Sequence, residues 1–370
     1  MGTLHAVSAS QVGTAGGFAA SFTVNPRSSG TLYTVKLALG FAMCRAMNVL
    51  LGLLLFLSSF PASAQLTTGT MQVVWNAGSP DCQKNPQPPL QVHAFNSRVF
   101  ILRENPCLTY EAPFIYLLVG TSRALLIDTG AVADAAQMPL AQTVRSLLPG
   151  GQAGSFPLLI VHTHGHLDHR SGDVQFKDTA SVEILGTSLA DILRQFNFSD
   201  WPNGTAHIDL GDRTVDVLPT PGHYVSELSY YDRETGLFFS GDFFLPGRLL
   251  IEDKDADLAS ANRITQFIAD RPVTYVLGGH VELDQAGNTF LGDHYHPNER
   301  PLQLTRQDLL ALPQIVASFN GFYGQHGVYV LENQNRVLAV LGGVVILLLI
   351  GLGFGIRALF RLRRRRRAAA

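Results

Sequence analysis

Acidic residues are absent from both ends of this 370-residue chain, with none before Gln65 and none after Asn335. All 29 therefore lie in the central part, together with 16 of the 27 Lys and Arg residues, which gives residues 65–335 a net charge of −13. Such a surplus of negative charge argues against binding of a polyanion, so no nucleic-acid partner is expected. The chain also lacks internal repeats and long low-complexity linkers, which favours one central domain.

Cysteine is scarce, with three residues in the whole chain. The separation of Cys82 and Cys107 excludes a metal site of the CxxC type. If the central domain is exported, an oxidising compartment favours a disulfide between them. Two free buried thiols are the alternative.

A short apolar run near the N-terminus predicts export. Residues 49–57 are almost entirely Leu, Val and Phe, with Arg45 before them and small residues up to Ala64 after them. A basic start, a short apolar core and a small-residue exit are typical of a secretory signal peptide, here residues 43–64. The run is too short to cross a bilayer, which takes ~20 apolar residues.

The first 42 residues show no clear pattern. We expect translation to begin at Met43 or Met47, so that residues 1–42 are an extension upstream of the true start. The alternative is a long basic region of the signal peptide that includes Lys36. Neither interpretation gives this segment a fold.

An uncharged apolar stretch near the C-terminus has the length of a transmembrane helix, predicted at 337–356. Arginines crowd the following residues, 357–370, and the positive-inside rule keeps them in the cytoplasm. The chain is therefore expected to cross the membrane once, with 65–335 on the periplasmic or extracellular side. Gly351 and Gly355 form a GxxxG pattern, which makes a homodimer through this helix an open alternative.

Strand-like and helical segments are mixed along the central domain, which predicts an α+β fold with helices covering sheets. Residues 132–148 have helical spacing but contain Pro139, so they form either two short helices or one that begins near Pro139. Residues 320–336 are expected to be a tether to the membrane. Strands are predicted at 114–119, 124–127, 157–161, 214–218, 227–231, 237–239 and 273–277, and helices at 189–196, 261–269 and 308–319.

Four candidate metal ligands fall within six residues at the end of a predicted strand: His164, His166, Asp168 and His169. Several imidazoles in one loop would repel one another when protonated, which favours a metal role over a structural one. Imidazole nitrogen and carboxylate oxygen together suit a cation such as zinc. Gly165 allows the turn that lets these side chains converge.

Three further candidates each follow a predicted strand and sit in a turn. They are His223 after Pro-Gly, Asp242 after Ser-Gly and His280 after Gly-Gly. A lone histidine is more often solvated or hydrogen-bonded than bound to metal. The shared pattern of the three is what makes them candidates.

These motifs, in this order, resemble the metallo-β-lactamase superfamily, and the segment Leu126-Ile127-Asp128-Thr129-Gly130 matches the first motif of that family. The resemblance covers roughly residues 90 to 290 and implies an αββα sandwich that holds two divalent metal ions. Zinc is expected, with iron or manganese as alternatives. Asp128 would orient the site through hydrogen bonds. The implied ligands are His164, His166 and His223 for the first ion, Asp168, His169 and His280 for the second, and Asp242 as a bridge.

The resemblance also implies a mechanism. Two ions that share a water lower its pKa towards ~7 and so supply hydroxide at neutral pH, while one of them polarises the substrate. Asp168 is a candidate proton acceptor, and Tyr224 a speculative oxyanion donor. Among the other histidines, His162 is expected to pack in the core, and His294 and His296 are candidates for the pocket rim.

The carboxylate at Asp242 is similar to the glyoxalase II, lactonase and phosphodiesterase branches, whereas zinc β-lactamases usually carry Cys or Ser there. The residues after it depart from the Gly-Arg-Gly of glyoxalase II, and Leu245 stands where the lactonases have Tyr. The expected function is hydrolysis of an ester, thioester or lactone-like bond in a small-molecule substrate. The alternatives are a β-lactam hydrolase, a di-iron redox enzyme and a non-catalytic metal-binding protein.

Overall fold

The computed structural model describes residues 66–290 and 292–368, so the predicted signal peptide and residues 1–42 lie outside the described part. A six-stranded sheet comes first, with its strands in sequence order. The first four strands pair antiparallel and the last three pair parallel. They are β1 (Leu90–Asn96), β2 (Val99–Glu104), β3 (Phe114–Val119), β4 (Ala124–Ile127), β5 (Leu158–Val161) and β6 (Val182–Ile184).

A second six-stranded sheet and a small three-stranded sheet follow. The order in the second is β13-β12-β10-β9-β8-β7, and in the third β11-β15-β14. Strands β8, β10 and β12 run in the same direction, because β8 and β10 are both antiparallel to β9 and β10 is parallel to β12. The strands are β7 (Ala206–Asp209), β8 (Thr214–Pro219), β9 (Leu228–Asp232), β10 (Leu237–Gly241), β11 (Arg248–Leu250), β12 (Tyr275–Gly278), β13 (Gln303–Leu304), β14 (Tyr323–His326) and β15 (Tyr329–Glu332).

Six α-helices lie in the described residues. Their starts follow local sequence signals. The first is a single helix that begins directly after Pro139, which is one of the two predicted alternatives. Proline fits the start of a helix better than its interior. The helices are α1 (Leu140–Leu147), α2 (Leu167–Arg170), α3 (Leu189–Gln195), α4 (Lys254–Phe267), α5 (Arg306–Ser318) and α6 (Gln334–Ala368).

The start of α4 differs from the predicted 261–269. Asp253 caps this helix by accepting hydrogen bonds from the backbone N–H groups of Asp255 and Ala256. A cap of this kind satisfies amides that the helix leaves unpaired, so α4 starts at Lys254. The predicted start at 261 was wrong, because the capping aspartate begins the helix earlier, at 254.

The main core lies between the two large sheets, where side chains alternate along each strand. Phe114, Tyr116 and Leu118 of β3 face this core, while Ile115 and Leu117 face the opposite way. Tyr116 meets Phe239 of β10 with ring centroids 4.7 Å apart. Burying such side chains stabilises the fold by roughly 1.5–3 kcal/mol each, before the cost of ordering them.

Each sheet also carries an apolar outer face covered by helices. Leu140 and Val144 of α1 pack on the first sheet. Helices α4 and α5 cover the second through residues such as Ile264 and Leu312. The layers are therefore helix, sheet, sheet and helix, the αββα arrangement that the resemblance implied.

Two further predictions fall on described residues. Residues 320–336 are not a simple tether, because β14 and β15 form a hairpin there that pairs with β11 and buries Tyr329 and Leu331. The structure also joins Cys82 and Cys107 by a disulfide.

Helix α6 is long and apolar enough to cross a membrane, judged by length and composition alone. Its large apolar side chains from Leu338 to Leu362 are exposed, because no other part of the described chain covers them. The helix continues through the arginine run to Ala368.

Candidate metal centre

All of the candidate ligands follow strands that end at one edge of the two large sheets. His164 to His169 come after β5, whereas His223, Asp242 and His280 come after β8, β10 and β12. Because β8, β10 and β12 are codirectional, their C-terminal ends meet at the same edge. The topology thus brings together residues that are up to 116 positions apart in the sequence, from His164 to His280.

Three histidines form the first group of potential ligand atoms. His166 Nδ1 lies 2.9 Å from His164 Nε2 and 3.1 Å from His223 Nε2. Burial lowers the pKa of His164 well below its usual value, and the charge of His169 lowers it further. Burial and His223 also lower the pKa of His166. Both rings are therefore neutral at pH 7, the form that presents a lone pair to a metal.

Two carboxylates and two histidines form the second group: Asp168, His169, Asp242 and His280. His169 Nε2 lies 3.0 Å from Asp168 Oδ2 and 3.4 Å from Asp242 Oδ1. His280 Nε2 lies 3.1 Å from Asp242 Oδ2 and 3.9 Å from Asp168 Oδ2. Nitrogen and oxygen donors in this mixture suit a divalent ion.

Asp242 lies between the two groups. Its Oδ2 atom is 3.7 Å from His223 Nε2 of the first group and 3.1 Å from His280 Nε2 of the second. Of the seven candidates, it is the carboxylate whose contacts reach both groups. This is the place that the resemblance assigns to a bridging ligand.

The donor atoms fit a divalent metal. His169 Nε2 and Asp242 Oδ1 are buried and lie close to other potential ligand atoms, but neither makes a hydrogen bond of acceptable geometry among the described residues. A buried polar atom without a partner is costly, so such atoms pointing into a cluster of donors are what a cation would satisfy. Divalent metal binding is therefore supported by the donor chemistry of the site.

Asp128 supports the candidate ligand His169. Its Oδ2 atom lies 2.9 Å from His169 Nδ1, and its two oxygens accept hydrogen bonds from the backbone N–H and the hydroxyl of Thr163. With Nδ1–H facing Asp128, His169 turns Nε2 towards the second group. A carboxylate in this position sets the tautomer and orientation of a ligand histidine.

His223 has a comparable hydrogen bond, whereas His280 Nδ1 has a carboxylate nearby but no hydrogen-bond partner among the described residues. His223 donates from Nδ1 to the carbonyl of Leu250 at 2.8 Å. His280 Nδ1 lies 3.5 Å from Glu282 Oε1, and Arg248 holds that carboxylate through Nε at 2.8 Å. In both rings Nε2 is left to face the candidate metal site.

The glycines that precede the ligands make room for them. A Cβ at Gly279 would lie 2.4 Å from Asp242 Oδ1 and 2.7 Å from His169 Cε1. Gly241 has φ +55° and would meet Thr163 at 2.6 Å. Any larger side chain at these two positions would displace the second group or the loop that supports it.

Tyr224, the speculative oxyanion donor, packs against the histidine loop. Its ring makes an edge contact with His166 at 4.9 Å between centroids and lies 5.6 Å from His164. Its hydroxyl would lie 2.9 Å from a Cβ at Gly165. These contacts describe a side chain that supports the two ligand rings.

The remaining histidines have structural partners. His162 is buried in the core, with Nε2 2.9 Å from Asp173 Oδ1. His294 Nδ1 bonds to the carbonyl of Pro106. His296 is buried and stacks on Phe290, with Nδ1 2.9 Å from Glu299 Oε1.

Sequence reasoning missed three acidic residues near the centre. Glu227 is buried and accepts the backbone N–H of Phe243, which follows Asp242, at 2.8 Å. Burial raises the pKa of Glu111, and the charge of nearby Asp168 raises it further. Glu282 is the third. None has a motif that could have revealed it, since each acts through a contact that only the fold creates.

Comparison with known proteins agrees with the geometry. Residues 108–280 match the model of the metallo-beta-lactamase superfamily. An acyl-coenzyme A thioesterase, MBLAC2 from Gallus gallus, is 28% identical over 223 residues, which cover 50% of this chain and 79% of the relative. A hydroxyacylglutathione hydrolase from Rhodobacter capsulatus is 26% identical over 179 residues, 47% of this chain and 64% of the relative.

A solved metallo-β-lactamase structure from Erythrobacter litoralis aligns with a TM-score of 0.42 and 16% identity, over 61% of this chain and 97% of that one. The family model and the relatives identify the class of the central domain: residues 108–280 match the metallo-β-lactamase superfamily. Within that class it is an enzyme, a metallo-hydrolase.

Proposed function

We propose that this protein is a membrane-anchored, exported hydrolase that uses two divalent metal ions, with zinc the expected metal, to cleave a thioester or a related ester or lactone. Residues 43–64 act as the signal peptide and residues 65–335 as the exported catalytic domain. Residues 337–356 cross the membrane, and 357–370 remain in the cytoplasm.

The position of Asp242 carries this proposal. Asp242 Oδ2 lies 3.7 Å from a histidine nitrogen of one ligand group and 3.1 Å from one of the other, which supports a carboxylate that would serve both groups. Two-metal sites of this kind supply a nucleophile from water at neutral pH and polarise the substrate carbonyl when both ions are bound. Neither a serine nor a cysteine nucleophile is then required.

The chain's own residues hold and tune this centre. His164, His166 and His223 would bind the first ion, and Asp168, His169 and His280 the second. Asp168, a member of the second group, would be the candidate acceptor for a proton of the attacking water. Asp128 keeps His169 in the tautomer that leaves Nε2 available.

Thioesters are the favoured substrates because both kinds of curated relative are named for thioester cleavage, one of acyl-coenzyme A and the other of hydroxyacylglutathione. The shared chemistry is attack on an activated acyl carbon with departure of a thiolate. The acidic ligand Asp242, in place of Cys or Ser, favours this branch over β-lactam hydrolysis.

The test uses the full-length protein in detergent, beside His166→Ala and the control His207→Ala. His207 is a histidine of β7 that belongs to neither ligand group. Metal content is measured first. Hydrolysis of thioesters, lactones, aryl esters, β-lactams and phosphodiesters is measured next.

We expect about two metal ions per chain and thioester hydrolysis in the wild type and His207→Ala. His166→Ala should lose metal and at least 100-fold in activity. Two irons with oxygen consumption, or metal without hydrolysis of any substrate, would contradict the proposal.

A further inference from the structure

We propose that the hairpin just before α6 lies in the interfacial layer of the bilayer, so that the metal centre is held close to the membrane surface. The anchor hairpin is defined here as residues 321–332, which include β14 and β15. This inference rests on the membrane anchoring in the proposed function and adds a second contact with lipid to it.

The anchor hairpin exposes large apolar side chains. Phe322, Tyr323 and Val328 are 40%, 52% and 52% exposed. Tyr323 belongs to β14, the edge strand of the small sheet, whereas Phe322 directly precedes that strand and Val328 lies in the turn before β15. Aromatic residues with a polar tip, such as tyrosine, concentrate where a membrane meets water.

Residues 321–330, which form the part of the anchor hairpin before Leu331 and Glu332, carry no Lys, Arg, Asp or Glu side chain, within a domain whose net charge is −13. The guanidinium of Arg300 donates to the carbonyl of Val328 at 2.7 Å, so a positive charge lies beside the hairpin turn. A surface without acidic groups can approach anionic headgroups without repulsion.

Hydrogen bonds tie the anchor hairpin to the start of α6. Arg336 donates to the carbonyl of Gly321 at 2.9 Å, and its backbone N–H donates to Asn333 Oδ1 at 2.9 Å. Asn333 in turn donates to the carbonyl of Glu252 at 2.9 Å. Since α6 begins at Gln334, a bilayer that contains α6 must lie close to the hairpin.

The metal centre is joined to the same sheet. Strand β15 pairs in parallel with β11, and the carbonyl of Leu250 at the end of β11 accepts the hydrogen bond from His223 Nδ1. A hairpin resting on the bilayer would therefore place a ligand histidine only two strands away from lipid. The substrates best served by this arrangement are amphiphiles that partition into the membrane.

Fluorescence quenching in lipid vesicles tests the inference on the full-length protein. Single cysteines are introduced by Tyr323→Cys in the hairpin, Leu348→Cys in α6 and Lys177→Cys as an exposed control elsewhere in the domain. Each is labelled with an environment-sensitive fluorophore after reconstitution into phosphatidylcholine vesicles. Quenching is then measured with lipids that carry a spin label near the headgroup or deep in the acyl chain.

We expect the deep spin label to quench the label at position 348. The shallow spin label should quench the label at 323 at least threefold more than the background value measured at 177. Quenching at 348 with equal values at 323 and 177 would overturn this inference and leave the anchor intact. No quenching at 348 would remove the membrane anchor itself. A blue-shifted but unquenched label at 323 would mean that a second copy of the chain covers the hairpin, which also overturns the inference.

Discussion

Glu282 Oε1 lies 3.5 Å from His280 Nδ1, and Arg248 holds the same carboxylate through two nitrogens at 2.8 and 3.2 Å. The opposite side of Arg248 contacts Glu332 in β15 at 3.3 Å. A chain of charged groups thus runs from the small sheet to a candidate ligand of the second metal. Within this chain of charged groups, Glu282 is the residue that would position His280.

Replacement of Glu282 by Gln should weaken metal binding at the second group by about 10- to 100-fold, the usual cost of losing a carboxylate behind a ligand histidine. Metal affinity is measured by competition with a chromophoric chelator. Glu332→Gln is the matched control, since Glu332 contacts Arg248 but not His280. Equal losses in both variants would show that the charge network, and not the contact with His280, determines the affinity.

Local motifs predicted more of this centre than of the domain around it. The ligands from His164 to His169 lie in one short segment. A glycine directly precedes each of His223, Asp242 and His280, so each turn can be recognised from neighbouring residues alone. The parts played by Arg248 and by the carbonyl of Leu250 could not be predicted, because both depend on where the fold places β11. The hairpin at residues 321–332 was missed because its strands are four residues long and one of them faces solvent.

Asp128→Asn should lower metal affinity at the second group by about 10- to 100-fold with little change in stability. Asparagine tolerates the φ of +64° at this position, so the backbone is preserved. An amide nitrogen facing His169 Nδ1 would, however, favour the tautomer whose Nε2 carries the proton and cannot bind metal. Metal content after dialysis and the thermal midpoint are the two measurements.

A second histidine–carboxylate pair provides the control. Asp173 Oδ1 lies 2.9 Å from His162 Nε2 and also accepts from Thr129, but neither His162 nor Asp173 belongs to a ligand group. Asp173→Asn should therefore leave metal content unchanged. If it loses as much metal as Asp128→Asn, the effect comes from general destabilisation of the loop.

Tyr224→Phe distinguishes packing from catalysis. The hydroxyl lies over Gly165 and makes no hydrogen bond within the described residues, so its removal should change kcat by less than about threefold. Loss of an oxyanion donor would instead cost about 10²–10³-fold. Tyr224→Ala removes the ring that supports His166 and should lower both metal affinity and kcat, which steady-state kinetics and metal titration on the three proteins would measure.

Glu104 should give the protein a distinctive dependence of stability on pH. Burial raises the pKa of its carboxyl to about 8 from 4.5, although the backbone N–H groups of Ala131 and Val132 donate to it. The folded protein therefore keeps a proton that the unfolded chain releases above pH 4.5. The contribution of this group is fully present below that pH and is lost as the pH rises to about 8.

Glu104→Gln removes this titration, so the free energy of unfolding of the variant relative to wild type should rise between pH 4.5 and 8. One proton sets the limit of the slope at about 1.4 kcal/mol per pH unit. Other buried acids, such as Asp257, whose pKa burial raises well above its usual value, titrate in both proteins and cancel in the difference. Chemical denaturation at pH 5, 6, 7 and 8 measures it. A difference that does not change with pH would mean that Glu104 is already ionised in the folded protein, stabilised by its two backbone donors.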